Sequence, residues 1–322
     1  MNKKQVMTAG MVVVDMLWVD LPEIPRPGLT QFTNTFAERV GGHPANVAVD
    51  LAKLGMNPKE LGVVASIIND TAGAMIEKEL AQYDIENLLK KRDRISADDI
   101  YTGRNGIMVK HGNDRMFQIY PGANMELDAE YVKAMLHNHS PSILSVRPGY
   151  SGIDGDIASI LKETSDTFVL LDLMRPRDRE WSYIIPAFSY ANAVHCNDTE
   201  AMSVTGTKTV EEAIDAFLSY GVELLLLTYG DEGAQLITST VNIRQPGFAV
   251  DVIDPTGCGD AFCAGVIQKL LEWEATRDVA ALSEAQLHEL LRYAQAVGAA
   301  CATGIGCTAG VSTERVQKIL TA

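Results

Sequence analysis

The stretch VDVIDPTGCGDAFCAGVIQKLLEW, Val250 to Trp273, decides how this chain is read. It begins as a short β-type run over Val250–Ile253 and turns at Asp254-Pro255-Thr256. It then crosses Gly257-Cys258-Gly259 into a helix. Apolar residues at Phe262, Val266, Ile267, Leu270, Leu271 and Trp273 recur at three- and four-residue spacing, so the helix has a buried face. Two glycines around one small residue let successive N–H groups point outward at the helix start. First-turn amides lack partners and the helix dipole favours negative charge, so the turn reads as an anion site. Asp260 in that place has two readings. It is an N-cap, a common use of Asp, or it takes a proton from a hydroxyl that then attacks a bound phosphate.

The chain has 322 residues, 47% of them hydrophobic, enough to bury a full core. Its net charge of −15 and pI near 4.8 disfavour nucleic acid or an anionic membrane as partner. An anionic substrate would be held against that field by local Arg, Lys, metal and amides. Five cysteines (Cys196, Cys258, Cys263, Cys301, Cys307) form no C-x-x-C pair, which reads as reduced and cytoplasmic. The N-terminal apolar run is cut by Asp15 before it resembles a signal peptide, and no run reaches membrane-spanning length.

Val6–Val14 reads as a buried first strand with Asp15 at its C-terminal end, where ligands of open α/β sheets collect. A structural turn-capping Asp is the alternative. Residues 16–40 are rich in Pro and polar residues and read as the start of a small β lid. Gly41-Gly42-His43-Pro44 enters a helix ending at Gly55, with Val47, Leu51 and Leu54 on one face. LGVVASI reads as a strand followed by a helix to about Tyr83. Residues 99–122, alternating around Gly112-Asn113-Asp114, read as a hairpin and the second half of the lid. Its Arg104, Lys110 and Arg115 read as solvated charges, with contact to an anionic substrate by one of them as the alternative. From Ser142, apolar strands (SILSV, TFVLLDL, NAVHCN, VELLLLTYG) alternate with helices at Asp154–Lys162, Ser182–Tyr190 and Val210–Tyr220, the rhythm of a parallel sheet with crossovers. The whole chain, 1–322, reads as one domain with its lid.

Several strings bear a family resemblance. Asp254-Pro-Thr-Gly-Cys-Gly-Asp260-Ala-Phe resembles the second signature of the ribokinase-like (PfkB) carbohydrate kinases, with Cys258 where Ala is usual. Gly41-Gly42-His43-Pro44-Ala45-Asn46-Val47-Ala48 resembles the first signature, and Gly10 to Asp15 keeps the family's spacing at the first strand. The resemblance implies an α/β fold, a ribokinase-like three-layer αβα sandwich with a central mainly parallel sheet and a small β lid. It makes Asp260 the catalytic base and Gly257, Cys258 and Gly259 the anion hole. It gives Asp15 and Asn46 to the substrate hydroxyls, and Gly41 and Gly42 to the lid hinge and substrate approach. His43, where ribokinase has Lys, either touches substrate or only packs. Val13, where ribokinase has Asn, disfavours ribose.

Asn197-Asp-Thr-Glu200 resembles the family's N-x-x-E, which implies ATP-phosphate contacts at Asn197 and Mg²⁺ at Glu200, partly through water. A plain helix start is the alternative. Thr228, Gly230 and Gly233 resemble the nucleotide-lining T-x-G-x-x-G, against the alternative of a β-turn. The small-residue run from Ala296 to Gly310 matches a family segment beside the adenine pocket and, with Asp254 and Thr256, a K⁺ loop. Two strings depart from the pattern. Asp172-Leu-Met-Arg-Pro-Arg177 lacks the family's usual Asn, and Arg147 stands where ribokinase has an acid. Arg147 binds a substrate carboxylate or phosphate, or pairs with one of the surplus carboxylates. The expected activity is transfer of the ATP γ-phosphoryl to a hydroxyl of a ketose, aldose or sugar acid. A nucleoside kinase, a phosphosugar kinase and a non-catalytic sugar sensor are the alternatives. A homodimer through the lid would cover strand edges otherwise exposed.

Overall fold

The structure, a computed structural model, describes residues 4–322 except 25, 26, 29, 97, 111–114, 176–179, 277 and 278, and gives backbone alone at 115 and 280. Strand β1 (Val6–Gly10) leads into β2 (Val13–Leu21) and β3 (Thr35–Gly41), then helix α1 (His43–Lys53). β4 (Leu61–Val64) and β5 (Ser66–Ile68) precede α2 (Thr71–Gln82). β6 (Glu86–Asn87) and β7 (Lys90–Arg92) come before β8 (Arg104–Lys110) and β9 (Arg115–Tyr120). The alternating half holds α3 (Ala129–His139), β10 (Ile143–Arg147), α4 (Ile157–Leu161), β11 (Phe168–Asp172) and β12 (Ala193–Asn197). It continues with α5 (Asp198–Thr205), α6 (Val210–Ser219) and β13 (Leu224–Thr228). β14 (Gly233–Ile237), β15 (Asn242–Pro246), α7 (Cys258–Glu272), α8 (Glu284–Ala302) and α9 (Thr313–Thr321) close the chain.

Nine strands form the main sheet in the order β15-β14-β13-β12-β11-β10-β1-β4-β6. All its pairings are parallel except the antiparallel β13–β14–β15 edge. The strands are apolar on both faces because helices cover both. Leu224 and Leu226 enter one core cluster with α1, α7 and α8, while Leu225 and Leu227 enter the other with α3 and α6. This split follows from the two-residue period of a strand. Each such Leu contributes about 1.5–3 kcal/mol by leaving water. The result is the expected three-layer αβα sandwich.

The lid is a separate four-stranded sheet, β3-β2-β8-β9. Its Gly112-Asn113-Asp114 turn lies outside the described residues, as do the Arg115 side chain, Pro176 and Arg177. Three local expectations are corrected. The apolar run from Val6 is two strands, not one: it leaves the main sheet after Gly10 and re-enters pairing in the lid at Val13. Asp15 therefore sits inside lid strand β2, not at the end of β1. Both halves of the run are buried, so hydropathy could not mark the break. Val250–Ile253 is not a strand. The main sheet already ends at β15, and this segment hangs instead from the end of α8 through Ile253 N and Asp254 N to Ala302 O (2.8 and 3.1 Å). Ser182–Tyr190 is two short 3₁₀ turns, 181–183 and 185–190. Pro186 lacks an N–H and disfavours helical backbone at the residue before it.

Candidate active site

Helix α7 starts at Cys258 with Gly257 as its N-cap in the left-handed region (φ 85°), and no side chain caps it. Asp260 is therefore the third residue of the helix, and the N-cap reading of Asp260 fails. A Cβ at Gly257 would lie 2.3 Å from the carbonyl oxygen and 2.7 Å from Cα of Cys307, so only glycine fits the turn. The Asp260 carboxylate, almost fully buried, turns toward three donors. His43 Nδ1 lies 2.8 Å and Arg147 Nη1 3.1 Å from its Oδ1, and Asn46 Nδ2 donates to Oδ2 at 2.7 Å. α1 delivers His43 and Asn46 one turn apart, and β10 delivers Arg147 at its last residue.

A second carboxylate completes the cluster. Asp172, the last residue of β11, is fully buried. Its Oδ2 is 2.5 Å from Arg147 Nη2 and 3.0 Å from His43 Nδ1, and its Oδ1 is 2.7 Å from His195 Nδ1. His43 Nε2 meets Ser145 Oγ at 2.9 Å. Burial opposes ionisation of both carboxyls, yet Arg147 and the histidines hold Asp260 below, and Asp172 well below, the usual carboxylate range. Burial likewise opposes charge on His43, but the two carboxylates raise its pKa above that of free imidazole.

Asp15 lies across the cleft on the lid. Asn105 Nδ2, on the neighbouring strand β8, donates to its Oδ1 at 2.8 Å, and the Cys307 thiol stands 3.5 Å from its Oδ2. Burial pushes the Asp15 carboxyl up to about 6, against the lowering effect of those two bonds. A Cβ at Gly41 would fall 2.2 Å from Asp15 Oδ2, so the glycine makes room for that carboxylate. At Gly42 (φ 96°), the N-cap of α1, a Cβ would meet the Met11 carbonyl oxygen at 2.2 Å.

On the other side of the α7 turn is a cleft of about 530 Å³. Thr228, Gly230 and Gly233 border it together with Cys258 and Gly259, and Phe248, Val250, Val252, Pro255, Gly298 and Ala302 give it an apolar wall. Asn197 does not line it. Asn197 and Glu200 close a capping box at the start of α5, Asn197 Oδ1 accepting from Glu200 N (2.8 Å) and Glu200 Oε2 from Asn197 N (3.1 Å). Burial raises the Glu200 carboxyl and Asp172 adds to the effect. Asp254 Oδ1 accepts from Thr256 N (2.9 Å) and Thr256 Oγ1 (2.6 Å), and its Oδ2 from Gly306 N (3.0 Å).

Sequence reasoning missed Asp172, His195, Ser145 and Asn105. A signal existed for two of them: Asp172 and His195 are polar residues inside otherwise apolar strands, where polar groups need partners. Nothing in the local sequence marked Asn105, which reaches Asp15 only through the pairing of two lid strands 90 residues apart.

Fructokinase-2 of Zea mays is 28% identical over 324 residues, spanning 96% of this chain and 91% of its own length. Among solved structures, ribokinase from Giardia lamblia superposes with a TM-score of 0.83 at 21% identity, covering 99% of each chain. A fructokinase from Xylella fastidiosa with bound ATP does so with a TM-score of 0.79 at 21% identity, covering 99% of this chain and 98% of its own. These likenesses carry the fold. The family model described as pfkB family carbohydrate kinase matches residues 4–314, nearly the whole length over which the two glycine-led turns, the lid and the αβα sandwich are laid out. The chain belongs to the pfkB family of carbohydrate kinases.

Proposed function

We propose that this kinase transfers the γ-phosphoryl group of MgATP to a hydroxyl of a small, unphosphorylated carbohydrate, with Asp260 as the base. One observation carries the acceptor class. Around Asp15, Asp260 and Asp172, the buried side-chain atoms without hydrogen-bond partners among the described residues include Asn46 Oδ1, Asn105 Oδ1, Arg147 Nε and Asp172 Oδ2. Both amides are oriented by the carboxylates they donate to, so their oxygens are left to accept. Buried polar atoms without partners cost about 1–3 kcal/mol each. A polyhydroxyl ligand seated between Asp15 and Asp260 would relieve that cost.

The chemistry follows from the arrangement. Asp260 takes the proton of the attacking hydroxyl while the amides of Gly257, Cys258 and Gly259 face the charge on the moving phosphoryl. Asp15 accepts from other acceptor hydroxyls, and closure of the lid excludes water that would compete as acceptor. Arg147 is committed to Asp172 and Asp260, so it gives no support to an acceptor that already carries phosphate. Thr228, Gly230 and Gly233 fit the nucleotide in the adjoining cleft, with the adenine against its apolar wall. Asn197 acts at the phosphates through the start of α5.

Mg²⁺ suits Glu200 because one carboxylate oxygen is already held by Asn197 N, leaving few protein ligands for a cation that keeps its waters. When bound it neutralises phosphate charge. A K⁺ activator fits the loop that Asp254 shapes. The Thr256 hydroxyl is committed to Asp254, so carbonyl oxygens of the loop would hold the ion. A lid-to-lid homodimer would cover Phe36, Trp18, Met108 and Met116, which align across the outer face of the four lid strands. Phe36 and Met116 are exposed in the single chain. A cytoplasmic, reducing location suits five free thiols. No helix among the described residues is long and apolar enough to cross a membrane.

The test is ADP release from MgATP, with and without K⁺, against ketoses, aldoses, sugar acids, phosphosugars and nucleosides. Turnover confined to unphosphorylated sugars or sugar acids is expected; turnover confined to phosphosugars or nucleosides overturns the acceptor class. Asp15 supplies a second check. Its folded pKa of about 6 lies above the unfolded value, so its contribution to stability is complete below pH ~4 and is lost as pH rises through 6. The ionised group then costs the fold about 3 kcal/mol. Asp15→Asn should therefore raise the melting temperature by a few degrees at pH 7.5 and by nothing at pH 4. Acceptor KM should rise about 10–100-fold through loss of a charged hydrogen-bond acceptor. An equal change in melting temperature at both pH values would remove the ionisation argument.

A further inference from the structure

We propose that Asp172 is a positioning residue for phosphoryl transfer, one that shares Arg147 and His43 with Asp260 and so keeps both from closing on the base. The inference rests on Asp260 being the base. Arg147 sends Nη1 to Asp260 and Nη2 to Asp172 (3.1 and 2.5 Å), and His43 Nδ1 sits 2.8 and 3.0 Å from the same two carboxylates. One guanidinium and one imidazole nitrogen thus lie within ion-pair distance of both carboxylates, with the His43 hydrogen bond going to Asp260. Without Asp172, both would turn fully to Asp260, and a carboxylate paired bidentate with Arg is a poor proton acceptor.

The third partner of Asp172 ties this cluster to the anion-hole turn. His195, held through Nδ1 by Asp172, stacks on Phe262 of α7 with centroids 5.1 Å apart. Its Cε1 stands where a Cβ at Gly259 would come within 3.3 Å, and its Nε2 is 3.5 Å from Thr228 Oγ1 at the nucleotide cleft. A single buried carboxylate therefore sets the base, through Arg147 and His43, and the turn beside it, through His195. The titratable and charged groups facing the two carboxylates are His43 and Asp50 from α1, Arg147 from β10 and His195 from β12. To these are added Cys196 from β12, Glu200 from α5, Cys263 from α7, Asp15 from the lid and Cys307 from the C-terminal loop. The negative charge of Asp172 makes Asp260 a better proton acceptor, so its removal weakens the base.

The experiment is the pH profile of Asp172→Asn, a change of charge at constant size. The expected result is a plateau kcat lowered about 10²-fold, acceptor and ATP KM within about threefold of wild type, and an acid limb of kcat/KM displaced to lower pH. A merely structural role would lower activity at every pH and leave the limb in place, and that outcome, or a plateau kcat within threefold of wild type, overturns the proposal. If Asp172→Asn does not fold, His195→Gln removes the imidazole that joins Asp172 to the turn while leaving Asp172, Arg147 and His43 in place. It should lower kcat about tenfold at unchanged acceptor KM, and an unaltered kcat would sink the idea. Asp260→Asn measured alongside separates the two claims, since activity in that variant would remove the base reading itself.

Discussion

Asp260→Asn should lower kcat about 10³-fold while ATP and acceptor still bind, because a base that is held and ionised contributes about 10²–10⁴ to such a transfer. The amide matches the carboxylate in size but not in its ability to take a proton. It also meets the wrong partners. Oδ1 faces His43 and Arg147 and Oδ2 faces Asn46, so whichever oxygen becomes NH₂ is set against a donor. A lower melting temperature is therefore expected with the loss of turnover. Cooperative unfolding and retained binding by calorimetry distinguish a dead but folded enzyme from a misfolded one. A kcat within tenfold of wild type, with binding intact, would falsify the assignment of the base.

Gly257→Ala is expected to lower kcat about 10²–10³-fold, the cost of disturbing one set of amides aimed at developing charge. Two effects act together there. Alanine in the left-handed region costs about 1–2 kcal/mol, and its Cβ would strike backbone atoms of Cys307 at 2.3–2.9 Å. Backbone cannot yield as a flexible side chain can, so the turn must open. The Cys307 thiol also lies against Asp15, which carries the disturbance to the acceptor side. Gly221 isolates the strain: it has φ 89° and nothing within 4 Å of a Cβ. Gly221→Ala should show the loss of stability alone, with kcat unchanged. Equal kinetics in the two variants would mean that the clash at Gly257 has no catalytic consequence.

The alternation of apolar strands with amphipathic helices from Ser142 onward was enough to predict a mainly parallel sheet covered on both faces, and the structure has it. The glycine-led turns at Gly41-Gly42 and Gly257–Gly259 were legible because only glycine satisfies a positive φ beside another backbone. A helix start needs unpaired amides, and both facts are local. Asp15 was found but set in the wrong strand, since a run buried on both sides of a break carries no sign of it. Val250–Ile253 was β-branched enough to read as a strand, yet the sheet had already ended at β15.

Which side chains meet was decided by the tertiary structure alone. Asp172, His195, Arg147, His43 and Asp260 come from five separate parts of the sequence and touch because β10, β11 and β12 end side by side beneath the starts of α1 and α7. The sequence by itself determined the fold class, the family and the acidic residue that follows the Gly257–Gly259 turn, because each of these is written in short-range spacing. The sharing of Arg147 and His43 between two buried carboxylates is not written there. It depends on contacts of 2.5–3.1 Å between residues as many as 217 positions apart, and sequence spacing does not encode distances of that kind.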